Sequence, residues 1–148
     1  MTSPLTLSFG SDHGGLALRR GLIEALKAKG HVILDRGTET EASCDYPDYA
    51  QAVGADVVAG RAHFGILVCT TGIGISIAAN KVAGIRAALV QSADAAALSR
   101  RHNDANVLCF GAKYVDLPTA LACTEAFLTA EFEGGRHSRR VDKMESCG

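Results

Sequence analysis

The run Phe64-Gly65-Ile66-Leu67-Val68 constrains this chain more than any other segment. Five consecutive residues without a charge have no face to turn to water. That is the pattern of a central strand in a parallel sheet covered on both sides. Parallel neighbours need crossover connections, usually helices, and the rest of the chain supplies them. Leu5–Phe9 alternates polar and apolar residues and ends at Gly10, which predicts a first strand. Leu16 to Lys29 places Leu16, Leu18, Leu22, Ile23, Ala25 and Leu26 at helical spacing, with Gly30 as the stop. His31–Leu34 predicts a short strand, and a polar loop from Asp35 to Pro47 leads to a helix over about Asp48–Ala59. After the central run, Gly72 and Gly74 open an apolar helix ending near Lys81. A strand over Arg86–Val90, a helix over about Ala93–Arg101 and a strand over Val107–Phe110 follow. Pro118 sits early in a helix reaching about Thr129, where its missing N–H costs little. The polar, basic tail from about Glu133 has a possible helix over Ser138–Glu145.

Five strands alternating with helices predict one doubly wound, Rossmann-like α/β domain over residues 1–148: a five-stranded parallel sheet with helices on both faces. A hydrophobic content of 47% in 148 residues is enough for a real core, and the 24 alanines suit helices packed closely on a sheet. With 15 basic against 16 acidic residues, nothing marks nucleic acid or a membrane surface as a partner. The start, Met1-Thr2-Ser3-Pro4, has neither the basic nor the apolar region of a signal peptide. Five cysteines, an odd count with no C-x-x-C pair, fit neither a disulfide framework nor a zinc knuckle. Reduced thiols in the cytoplasm are the expectation.

In doubly wound sheets ligands bind beyond the carboxyl ends of the strands. The most informative turn there is Cys69-Thr70-Thr71-Gly72-Ile73-Gly74. Its glycines allow a tight turn, and the helix it opens offers N–H groups to an anion or to developing negative charge. Cys69 is either a buried small side chain or a thiol activated by that same field. The common motifs fail here. No Gly-Lys-Ser/Thr follows, Ile77 stands where a dinucleotide fingerprint has its third glycine, and Ile75 stands where a phosphatase loop has Arg. Asp12 and His13 offer acid–base or phosphate chemistry, or else a capping Asp and a solvated His. His102 and Asn103, placed between the fourth helix and the fifth strand, read as turn residues, with His102 equally a cation at the C-terminus of that helix. Arg136 and Arg140, four apart, would share a helical face suited to a phosphate, or belong to a solvated tail. The five histidines lack H-x-x-x-H spacing, so no metal is expected.

These stretches, in this order, resemble the ribose-5-phosphate isomerase type B family, which also includes the galactose-6-phosphate isomerase subunits. The likeness is carried by Asp12-His13-Gly14-Gly15, Asp45-Tyr46-Pro47, the segment Cys69 to Lys81, Gly84-Ile85-Arg86-Ala87, His102 to Leu108, and Glu133-Gly134-Gly135-Arg136-His137. It implies an aldose–ketose isomerisation through a cis-enediolate with no metal and no cofactor. By that resemblance Cys69 is the base and Thr71 assists proton transfer. Backbone N–H groups at Gly72, Ile73 and Gly74 hold the enediolate. Asp12 and His102 open the sugar ring. Tyr46 borders the sugar and Asn103 binds hydroxyls, while His13, Arg136 and Arg140 hold the phosphate. Ile75 stands where another branch of the family has a catalytic Glu, which puts this chain with the Cys-base branch. Lys113 stands where some members have a phosphate-binding Arg. The implied substrate is ribose 5-phosphate. The same chemistry on allose or galactose 6-phosphate or on a tetrose phosphate is the alternative, with a non-catalytic phosphate- or nucleotide-binding domain behind it. The implied assembly is a homodimer or tetramer with sites shared between subunits.

Overall fold

The computed structural model describes residues 3–147; Met1 and Thr2 of the polar start, and Gly148, lie outside them. Five strands, β1 (Thr6–Ser11), β2 (Val32–Asp35), β3 (Phe64–Cys69), β4 (Ala87–Leu89) and β5 (Val107–Gly111), form one sheet of order β2-β1-β3-β5-β4. Every pairing is parallel. The helices are α1 (Leu16–Ala28), α2 (Tyr46–Val58), α3 (Ile73–Asn80), α4 (Ala93–Asn103), α5 (Leu117–Thr129) and α6 (Arg136–Glu145), with a 3-10 turn at His13–Gly15. The sheet is covered on both faces, as the uninterrupted apolar run requires. Ile66 and Val68 of β3 and Leu108 and Phe110 of β5 enter one core with Leu22 and Leu26 of α1, Ala96 of α4, and Cys123 and Phe127 of α5. The alternate residues Leu67, Cys69, Val107 and Cys109 enter a second core with Ala50 and Val53 of α2 and Ile75 and Ala79 of α3.

Three helix boundaries differ by two residues from the pattern-based expectation, each for a local reason. Helix α2 starts at Tyr46 rather than near Asp48, because Pro47 lies within its first turn, where no intrahelical partner awaits its nitrogen. Helix α4 continues through His102 and Asn103, so His102 lies in the last turn of the helix, the second of the two placements the sequence offered, and not in a following turn. It stops at Asp104, held left-handed at φ 48° with its carboxylate accepting from Arg100 at 2.8 Å. Helix α6 starts at Arg136, two residues early, after Gly134 and Gly135 turn the chain at positive φ.

Two buried charges tie the sheet to its loops. Asp56 of α2, 1% exposed, accepts from Ser8 Oγ of β1 at 2.7 Å, from Arg36 at 2.6 and 2.8 Å, and from Arg61 Nε at 2.9 Å. Burial by itself would raise its carboxyl, but the hydrogen bonds from Arg36, Ser8 and Arg61 outweigh it and hold the pKa at about 2. A folded value below the unfolded one stabilises the fold above about pH 4, and that gain disappears as pH falls from about 4 to about 2. The amount is about 2 kcal/mol for a displacement of this size. Urea unfolding at pH 5 and pH 2 checks it. The stability gap between wild type and Asp56→Asn is expected to shrink by about that amount at the lower pH, and an unchanged gap would mean the network contributes nothing.

The second charge is Arg19 of α1, wholly buried. It donates to Ser11 Oγ at 2.7 Å and lies 3.3 Å from Asp35 and 4.0 Å from Glu39. Burial pulls its guanidinium below the usual value, and Asp35 and then Glu39 oppose that pull. Ser11 and Asp35 end β1 and β2, so Arg19 fixes the strand ends from which the Asp12-His13 loop departs.

Candidate active site

The carboxyl ends of β1, β3 and β5 converge as their register dictates. Ser11 pairs with Val68 and Cys69 with Gly111. The chain then turns from β3 into α3 through Gly72, at φ 78°, where a Cβ would fall 2.5 Å from Leu89 and 2.8 Å from the Gly111 nitrogen. Only glycine fits that turn. The turn brings the Gly72 N–H to the Cys69 sulfur at 3.1 Å and the Ile73 N–H to Thr71 Oγ1 at 3.2 Å. Of the four N–H groups that a helix start leaves without intrahelical partners, those of Gly74 and Ile75 remain available. Cys69 is thus a thiol, 4% exposed, at the positive end of α3. The other two cysteines of the cores serve as packing. Burial pushes the Cys109 thiol up, with neighbouring Cys69 adding to the effect, and burial likewise raises Cys123.

Other residues singled out in the sequence surround this turn. A Cβ on Gly14 would lie 2.2 Å from Thr70 Oγ1 and 3.5 Å from Asp12 Oδ1, so the first loop abuts the Cys69 loop. Asp12 does cap the 3-10 turn, its Oδ1 accepting from the Gly15 N–H at 3.2 Å. It is also 6% exposed and keeps a second oxygen. His13 Nδ1 accepts from the Cys44 N–H at 3.3 Å, which leaves the proton on Nε2 for a ligand. The Tyr46 ring lies over Gly74, where a Cβ would be 2.5 Å from the ring. Lys113 follows β5, its N–H donating to the Thr70 carbonyl at 2.9 Å and its ammonium 5.9 Å from the Tyr114 ring centre.

His102, Asn103, Arg136 and Arg140 are not brought to Cys69 within the chain. The end of α4 lies at the opposite, amino end of β4 and β5, where Asn106 bonds Arg86 and Gly84. Helix α6 packs on α4 through His137 and Val141, leaving Arg136 and Arg140 exposed. His102 stacks on His137 with ring centres 4.3 Å apart, and the Nε2 atoms of His102 and His137 are 3.8 and 3.6 Å from Glu133 Oε1. Burial lowers the His137 imidazole, and nearby His102 and Arg136 lower it further. Three participants were missed in the sequence: Cys44, which orients His13, and Glu133 and His137, which flank His102. The i,i+4 spacing of Glu133 and His137 was a usable signal. Their juxtaposition with His102 is non-local and has no sequence signature.

Comparison with known proteins gives close matches over nearly the whole chain. Residues 7–144 match the sequence profile described as Ribose/Galactose Isomerase. Ribose-5-phosphate isomerase B of Escherichia coli is 46% identical over 138 residues, 93% of each chain. The solved ribose-5-phosphate isomerase B of Clostridium thermocellum superposes with a TM-score of 0.95 at 46% identity, covering 96% of both chains. The Mycoplasma genitalium enzyme, solved with bound ribulose-5-phosphate, superposes with a TM-score of 0.91 at 43% identity, covering 96% of this chain and 95% of that one.

Proposed function

This chain belongs to the ribose/galactose isomerase family, and from that premise we propose that it interconverts ribose 5-phosphate and ribulose 5-phosphate, with Cys69 as the base. The observation that carries the chemistry is the Gly72 N–H aimed at the Cys69 sulfur at the start of α3, which sets the sulfur beside the helix N–H groups that would face an enediolate. Asp12 takes the proton from the anomeric hydroxyl of the furanose while His102 of a partner subunit protonates the ring oxygen, which frees the C1 aldehyde. The Cys69 thiolate then removes the proton from C2, and the electron pair moves through C1 onto its oxygen. The resulting enediolate is held by the N–H groups at the start of α3, with Gly74 and Ile75 free for it and Gly72 engaged by the sulfur. Thr71 Oγ1 already accepts from Ile73, so its hydroxyl proton is available to pass between O1 and O2. The Cys69 thiol returns its proton to C1, leaving the ketone at C2. No metal or cofactor enters the scheme. Tyr46 closes over the sugar and Asn103 meets its hydroxyls. His13 donates its Nε2–H to the phosphate, which Lys113, Arg136 and Arg140 neutralise, the last two reaching a partner's site as His102 does.

Turnover of a panel of phosphorylated aldoses and ketoses tests the substrate, with and without a chelator. Ribose 5-phosphate is expected to be the fastest substrate and indifferent to chelation. Faster turnover of a hexose 6-phosphate would replace it, and loss of activity on chelation would remove the metal-free scheme. The phosphate contacts have their own test. Arg136→Ala and Arg140→Ala are each expected to weaken substrate binding by about 1.5–3 kcal/mol, the scale of a charged hydrogen bond. Unphosphorylated ribose should be a poor substrate that neither change affects. If both variants keep a wild-type KM for ribose 5-phosphate, the two arginines belong to a solvated helix face.

A further inference from the structure

His102 ends α4 and His137 lies in the first turn of α6; 35 positions apart in sequence, they meet over the carboxylate of Glu133. One ligand atom from each of the three residues lies within 4.8 Å of the other two. The carboxylate stands 3.8 and 3.6 Å from the two Nε2 atoms. Ligands of a tetrahedral zinc, each about 2.0–2.1 Å from the ion, are about 3.3 Å apart, so the two carboxylate–imidazole distances need to shorten by only about half an ångström or less. His137 is 6% exposed, and its Nε2 is fully enclosed without a hydrogen-bond partner while aimed at the other two groups. A buried imidazole nitrogen in that condition lacks a partner, and one that faces a carboxylate and a second imidazole is placed to share a cation with them. We propose that His102, Glu133 and His137 form a binding site for a borderline divalent cation such as Zn²⁺, with two imidazoles and one carboxylate as ligands and water completing the shell.

The stacked pair must open to take the ion. A ring nitrogen's lone pair lies in the ring plane, and two planes inclined by only 11° do not converge on one ion. His102 can tilt because its side chain is 38% exposed, and Glu133, at 51%, can follow, whereas the enclosed His137 stays fixed. Occupancy therefore takes His102 away from any other partner. Resting on the ring-opening role proposed for His102, the ion is an inhibitor that competes with ribose 5-phosphate rather than a cofactor.

Titration of chelator-stripped full-length protein with Co²⁺ and Zn²⁺ tests the site, read by visible absorption and by calorimetry. The expected result is one ion per chain, with nitrogen–oxygen ligand-field bands and no thiolate charge-transfer band. Binding should weaken at least tenfold in both His137→Ala and the solvent-exposed Glu133→Gln. A thiolate band, or unchanged binding in Glu133→Gln, would overturn the site by moving the ion to a cysteine or elsewhere. Activity reads the second layer separately. Zn²⁺ at the concentrations that fill the site should suppress isomerisation, with chelator restoring it. Full occupancy without inhibition would uphold the cation site and overturn the role of His102 in ring opening.

Discussion

Cys69→Ala is expected to abolish nearly all isomerisation, by about 10²–10⁴-fold in kcat, the usual loss when a general base is removed. Substrate binding should survive, because the groups assigned to the phosphate and the sugar hydroxyls lie on other elements. The split is measurable as a collapsed kcat with little change in the dissociation constant of ribulose 5-phosphate. The fold should tolerate the change. Cys69 ends β3, and its side chain is one small member of a core that also holds Val53, Leu67, Ile75, Val107 and Cys109. Cys109, two strand residues before Gly111 in the adjacent strand, is the internal control. Its burial raises the thiol and removes it as a base, so Cys109→Ala should cost stability and leave the chemistry standing. Near-normal turnover in Cys69→Ala would end the assignment of the base.

The second large effect is a gain of activity from two dead proteins. Cys69→Ala and His102→Ala should each be inactive, and a mixture allowed to exchange subunits should recover up to about half of wild-type activity per mixed dimer. The geometry of one chain motivates this. Cys69 pairs with Gly111 at the carboxyl end of β5, whereas His102 and Asn103 end the helix that leads into its amino end. Five strand residues at about 3.3 Å each separate the two ends, a span no five-carbon sugar bridges. In a two-fold dimer with shared sites, both substitutions fall in one site of the mixed species and the other site is intact. Demonstrated exchange with no returning activity would place both residues in a single chain's site or remove His102 from the chemistry.

What the sequence discloses and what it conceals follow the range of the interactions. The run before Cys69 revealed a strand with two buried faces, because β3 sends Ile66 and Val68 to one core and Leu67 and Cys69 to the other. Gly30 was legible as a helix stop because it takes φ 95° just after Lys29, the C-cap of α1. The turn from Cys69 to Gly74 was legible for the same kind of reason, since its glycines and its following helix are neighbours in sequence. The strand order was not. Nothing local says that the chain passes from β3 beyond β5 to β4 and then returns. The last two residues of α4 were hidden by Asp104, a residue that only occasionally takes the left-handed conformation ending the helix here. The grouping of His102 with Glu133 and His137 depends on how α6 packs against α4, and spacing rules that look for ligands on one helix pass over it.

The pairing beneath the first loop carries a consequence for how sequences of this kind can drift. Arg19 is enclosed completely, whereas the side chain of Asp35 is 36% exposed. A mutation that first removes Asp35 strands a guanidinium in the interior, with Ser11 Oγ and the more distant Glu39 as its remaining polar neighbours. A mutation that first replaces Arg19 with an apolar side chain of similar volume leaves only a carboxylate that water can reach. The two orders of loss are therefore unequal, and ancestry should record it. Lineages that abandon the pair are expected to have changed position 19 before position 35, or both together. Sequences that keep Arg19 without an acid at 35 or 39 should be absent from any broad alignment of relatives.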